Sequence, residues 1–92
     1  MYLDYYEKNV SISTKQAEDI LKVYEDVCKE QGVSPDYEED DRAMALAILT
    51  GVECDDNDIA SSIIHNATCA SSDVKASPAY QRVKPIFDYL DL

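Results

Sequence analysis

The sequence predicts an all-α fold, a compact bundle of about four helices. Three observations carry that reading. Only 2 of the 92 residues are Gly and 3 are Pro, too few turn formers for a chain of many short strands. Apolar residues recur three and four positions apart, the period of one helical face. The periodic stretches are bounded by Ser-x-x-Gln, Ser-Pro and Gly-Val, which are helix start and stop signals.

Taken in order, the N-terminus is the least determined. Tyr2, Leu3, Tyr6 and Val10 fit a short helix over 2–8 slightly better than an irregular arm. The first full helix is expected over 14–31. Ser13 and Gln16 form a capping-box pattern, with Ile12 and Ala17 placed as a hydrophobic staple. Its stripe is Ala17, Ile20, Leu21, Tyr24, Val27 and Cys28, and Glu18–Lys22 and Glu25–Lys29 stand at favourable i, i+4 spacing. Gly32 supplies the left-handed stop, and Val33 is placed to fold back on Cys28.

The second helix, over 35–50, reads Ser34-Pro35 as N-cap and first residue, with Gly51-Val52 as its stop. Ala43-Met-Ala-Leu-Ala-Ile-Leu49 is apolar on every side, so this segment is expected to be the central, most buried element. The third helix, over 56–70, buries Ile59, Ile63, Ile64 and Ala67, and a polar loop follows over 71–75. The fourth, over 78–91, starts at Ser77-Pro78 with stripe Tyr80, Val83, Phe87 and Leu90. Pro85 should kink or split it, because proline removes a donor and clashes one turn back. No linker or repeat divides the chain, so residues 1–92 read as a single helical domain.

Composition narrows the function. An apolar content of 46% with 29% charged residues is that of a packed protein. The longest apolar run, 43–49, falls far short of the ~20 residues of a membrane span. Met1-Tyr2-Leu3-Asp4 lacks a basic start and apolar stretch, so a cytoplasmic location is expected. Cys28, Cys54 and Cys69 are odd in number and widely spaced, signalling neither a disulfide framework nor a zinc motif.

No catalytic constellation stands out, and no enzymatic activity, cofactor or metal is expected. His65 and Cys69 could face one ion from adjacent turns, but no spacing supplies two further ligands. Cys54 sits in Glu53-Cys54-Asp55-Asp56, where carboxylates disfavour the thiolate that a nucleophile needs. Asp55-Asp56-Asn57-Asp58 resembles the start of a calcium loop. The position for the invariant glycine holds Ser61, and that for the bidentate glutamate holds Ala67.

The extreme feature is charge. Nineteen acids and eight bases give −11. Residues 36–58 hold nine of those acids, namely Asp36, Glu38, Glu39, Asp40, Asp41, Glu53, Asp55, Asp56 and Asp58. Against them stands one base, Arg42, so the segment carries −8 while the rest carries −3. Direct contact with nucleic acid or an anionic membrane is disfavoured, and a basic protein partner is favoured. The bland alternative is that acids near helix starts merely stabilise the helix dipole and keep the chain dissolved. That accounts for Asp36, Glu38, Glu39, Asp55, Asp56 and Asp58, but not for Asp40, Asp41 and Glu53, nor for the missing bases.

Seven Tyr against one Phe and no Trp is the second hint. Tyr24 and Tyr80 fall on core stripes, whereas Tyr37 lies inside the acidic segment as a candidate interface anchor. In size and charge the chain resembles phage- or plasmid-encoded DNA mimics, although no motif ties it to a family. The expectation is an inhibitor or decoy of a basic, nucleic-acid-binding protein, for example in anti-restriction. Its partner-binding residues would be the nine acids and Tyr37. The alternative is a structural helical module or homodimeric adaptor joined through apolar surface.

Overall fold

A computed structural model of the chain describes residues 3–5, 8–10, 12–35, 41–50 and 57–90. Residues 3–5, 8–10 and 57–59 are described by their backbone alone. The helical bundle is as expected: among the described residues are α1 (Thr14–Gln31), α2 (Arg42–Leu49), α3 (Asn57–Thr68), α4 (Ser72–Lys75) and α5 (Pro78–Tyr89). Ahead of them stands a small antiparallel ribbon, β1 (Leu3–Tyr5) with β2 (Lys8–Val10), in the register Leu3↔Val10, Asp4↔Asn9 and Tyr5↔Lys8. The expected helix over 2–8 is therefore corrected to a hairpin. The sequence between the two strands, Tyr6-Glu7, has none of the Asn-Gly or Asp-Gly chemistry that marks a hairpin in sequence. A two-stranded ribbon is not stable alone, and β1 lies alongside α3.

The α1 helix has the predicted bounds, and its ends explain them. The Gln16 N–H donates to Ser13 Oγ at 3.1 Å, and the Ser13 N–H donates to Gln16 Oε1 at 2.9 Å, closing the capping box. At the other end Gly32 adopts φ 69°, ψ 28°, the left-handed conformation that a Cβ disfavours. The Val33 N–H then donates to the Cys28 carbonyl at 3.0 Å and the Gly32 N–H to that of Lys29 at 3.3 Å, a Schellman pair. Val33 folds back through its backbone only, for its side chain is 54% exposed.

The centre of the molecule is α1, not α2. It contacts α2, α3, α4 and α5, and it buries Val23 as well as the whole predicted stripe. By contrast, α2 buries only Ala45, Ile48 and Leu49. Leu46 and Ala47 are half-buried, and Ala43 and Met44 are exposed. The expectation that 43–49 would be the core element is overturned. An eight-residue helix with three alanines is apolar throughout but offers little volume to bury.

The boundaries of α2 also differ. Pro35 lies outside any helix, and the described helix starts at Arg42, with Asp41 as an N-cap making no side-chain cap bond. It stops where the Thr50 hydroxyl donates back to the Leu46 and Ala47 carbonyls at 3.0 and 3.2 Å. The Gly51-Val52 stop lies outside the described residues. So does the first part of the predicted second helix, 36–40.

Three further differences follow from local chemistry. The α3 helix ends at Thr68, whose hydroxyl donates to the His65 carbonyl. The predicted loop 71–75 is instead the short helix α4, because Ser71 Oγ accepts from the Val74 N–H at 3.3 Å and Val74 is buried. Ser71 also donates to the Glu30 carboxylate at 2.7 Å, tying α4 to the end of α1. Finally, α5 runs through Pro85 without splitting. Pro85 is exposed, as is Gln81 one turn back, so water can take the carbonyl that proline leaves unpaired. Tyr80 and Phe87 meet on its inner face with ring centroids 5.6 Å apart. Tyr24 and Tyr80 are both fully part of the core.

Candidate functional site

The acidic segment has to be built around α2, which divides it. One run of acids (36–41) leads into the N-terminal end of this helix, and the other (53–58) follows its C-terminal end. An eight-residue helix is about 12 Å long, so Asp41 and Thr50 stand roughly that far apart. Within the first run, five carboxylates share six residues. Chain geometry alone keeps them within about 20 Å of one another.

Asp41 is exposed and caps α2 with no side-chain bond. Asp58 is placed by its backbone as the second residue of α3, at the positive end of that helix dipole. Asp36, Tyr37, Glu38, Glu39, Asp40, Glu53, Asp55 and Asp56 lie outside the described residues.

The bases are the more telling half of the electrostatics. A protein that neutralised its acidic segment internally would bring Arg42, Lys75, Arg82 and Lys84 to it. Three of these four are engaged elsewhere. Arg42, the one base within the segment, points its guanidinium at Glu25 of α1 at 3.4 Å. Arg82 forms a fork on Asp19, with Nε donating to Oδ2 at 2.9 Å and Nη2 to Oδ1 at 3.0 Å. Lys84 pairs with Asp88 at 3.0 Å, which raises the lysine pKa. Lys22 takes Asp26 at 3.5 Å.

Among the described residues neither predicted pair of α1 forms. Glu25 turns to Arg42, and Lys22 reaches Asp26 instead of Glu18. Such exchanges are easy because each exposed pair contributes little.

The Arg82 fork holds the Asp19 carboxyl below the usual carboxylate range. Burial opposes this, and the charges of Arg82 and Lys15 add to it. This is a structural clamp between α1 and α5. It commits Arg82 to an acid outside the segment.

Other candidates from sequence reasoning stay apart. His65 and Cys69 are exposed at the end of α3, and Cys28 is a buried core thiol. Among the described residues no three His, Cys, Asp or Glu side chains gather where a metal ion could sit. No helix among them is long and apolar enough to cross a membrane.

The apolar-surface alternative drew on a run apolar on all sides, and the structure leaves part of it open, with Met44 47% exposed. The signal was in the run itself. Ala43, Ala45 and Ala47 are too small for all sides of the helix to be needed in a core. Comparisons with protein families, with curated proteins and with solved structures returned no match to this chain.

Proposed function

We propose that the chain is a non-enzymatic acidic inhibitor or decoy that occupies the basic, nucleic-acid-binding surface of another protein. A phage or plasmid would encode such a protein against a restriction or defence complex. One observation carries the reading. The −8 of residues 36–58 has one internal base, and that base is drawn to Glu25 outside the segment. Arg82 and Lys84 are likewise committed to Asp19 and Asp88. Two carboxylates ~6 Å apart repel by only about 0.7 kcal/mol in water, so the molecule tolerates such a field. A partner lined with Lys and Arg would relieve it, and the surrogate phosphates would be the carboxylates of Asp36 to Asp41 and of Glu53 to Asp58.

The test is charge reversal. Replacing Asp36, Glu38, Asp40 and Asp55 by Lys should abolish capture of a basic nucleic-acid enzyme from the native host, with the helical circular dichroism unchanged. Capture by wild type should weaken steeply between ~50 and ~500 mM salt, as screening shortens to a few Å. Undiminished capture by the reversed variant removes the proposal.

A second reading, a homodimeric adaptor, is favoured by the open apolar face at Ala43 and Met44. It calls for self-association that holds or strengthens over the same salt range. Sedimentation at the two salt concentrations separates the readings.

A further inference from the structure

The segment around α4 is poorly able to hold its own structure. Its helix has four residues, too few to persist on helical propensity alone. Val74 is its one buried side chain, while Ser72, Asp73 and Lys75 are exposed. The other ties are polar and come from its neighbours. The Gln81 side chain of α5 donates to the Lys75 carbonyl at 2.6 Å. The Glu30 carboxylate of α1 receives the Ser71 hydroxyl on both oxygens, at 2.9 and 2.7 Å. On either side the chain is anchored again, since Ala70 is buried and Ser77 caps α5 by accepting from the Tyr80 N–H at 3.3 Å.

Glu30 stands in the last turn of α1, where the carbonyl end of the helix dipole disfavours negative charge. Local helix rules do not call for an acid there, and the bond to Ser71 gives it a role. That bond also orients the Ser71 hydroxyl. With its proton directed to Glu30, the oxygen keeps a lone pair for the Val74 N–H, at 3.3 Å. One hydroxyl both caps α4 and fastens it to α1.

We infer that α4 is a strap, fastened to α1 through Glu30, which opens as a unit while α1, α3 and α5 stay folded. Glu30 is a positioning residue in this device and acts through Ser71. The inference is independent of the acidic-decoy reading.

The experiment is amide hydrogen exchange of the full chain, read residue by residue by NMR. The reporters are the N–H groups of Lys75, Ala76 and Ser77, which donate to the Ser71, Ser72 and Val74 carbonyls. In wild type they should be protected, yet exchange faster than the amides of residues 20–28 in α1. At low urea their rates should stay flat while those of α1 rise, because opening a strap exposes little surface. Glu30→Ala should speed the reporters about tenfold, the lower end of what a hydrogen bond to a charged acceptor is worth. Helix propensity and the dipole alone predict no loss, for Ala favours helix and removes a misplaced charge.

Ser71→Asp is the sharper variant. Aspartate is a strong N-cap residue, so a hydroxyl that only capped α4 could be replaced by it and protection would be kept. Set against the Glu30 carboxylate it should instead open the strap. Adding Glu30→Lys to Ser71→Asp supplies the opposite charge and should restore protection. Both positions are exposed, so the variants should keep the circular dichroism of a folded bundle.

Unchanged reporter exchange in Glu30→Ala, or protection kept in Ser71→Asp, would overturn the inference. So would reporters unprotected in wild type, or a double variant that stays open. Reporters that share the rate and urea dependence of α1 would overturn it too, since α4 would then open only with the whole molecule.

Discussion

Helices α1 and α2 are the instructive pair. Residue for residue α2 is the more apolar, yet α1 is the element around which the molecule is built. The difference is one of volume and periodicity. α1 repeats large side chains (Ile20, Leu21, Tyr24, Val27) over five turns, leaving polar residues on the far side. It can therefore serve neighbours on several flanks at once. α2 has barely two turns, and three of its seven apolar residues are alanine. Apolar content says that a helix can be buried, whereas size and repeat length decide how much burial stabilises. A helix that is apolar all round but short is a candidate surface as much as a candidate core.

That contrast is most exposed to test by truncation. Leu21→Ala, at a fully buried site on α1, should destabilise by about 2–5 kcal/mol, through lost burial and a cavity. Met44→Ala on α2 should stay within about 0.5 kcal/mol, as surface substitutions do. Urea unfolding of both variants measures the two values. A loss of several kcal/mol at Met44 would mean that α2 is packed far more tightly than its exposure says.

The same contrast marks what the sequence made legible. α1 could be read to the residue, because every signal that sets its ends is local. Ser13, Gln16 and Gly32 act within four positions of themselves. Ser77-Pro78 announced α5 for the same reason. The ribbon was illegible because no Asn-Gly or Asp-Gly stands between its strands and each strand is three residues long. α4 was hidden because Ser71-Ser72-Asp73 reads as loop until Val74 is seen to be buried. The acidic run was plain as composition. That Arg42 and Arg82 turn to Glu25 and Asp19 depends on which helices become neighbours, and local patterns do not encode that. The exposure of Met44 is tertiary in the same sense.

Caps sharpen the comparison at smaller magnitude. Ser13→Ala removes a formed side-chain cap from α1 and should destabilise by about 1 kcal/mol. Gly32→Ala should cost a similar amount, about 1 kcal/mol. An added Cβ meets no atom within 4 Å there, so the whole effect is the left-handed backbone. Asp41→Ala at the start of α2 breaks no cap bond and removes one negative charge from an acidic run, so its thermal midpoint should match wild type. Melting curves of the three side by side give the ordering. A drop at Asp41 equal to that at Ser13 would mean that the two helix starts are held alike.

The smallest effects concern how each helix is tied by charge. α1 is clamped to α5 by the Asp19–Arg82 fork, while the one ion pair between α2 and α1 among the described residues is Arg42–Glu25, at 3.4 Å between groups more than a third exposed. Asp19 has its folded pKa lowered by Arg82. Its contribution is therefore fully present above the ordinary carboxylate pKa, near 4. It is lost as pH falls through the folded value. Asp19→Asn should lower the thermal midpoint at neutral pH by a few degrees, and the gap to wild type should close as pH falls toward ~2. Arg42→Ala should leave the midpoint unchanged at either pH, because an exposed, stretched pair contributes little. Equal destabilisation by the two variants at neutral pH, erased by salt, would make α2 an electrostatically held helix. Burial of Ala45, Ile48 and Leu49 would then not be what seats it.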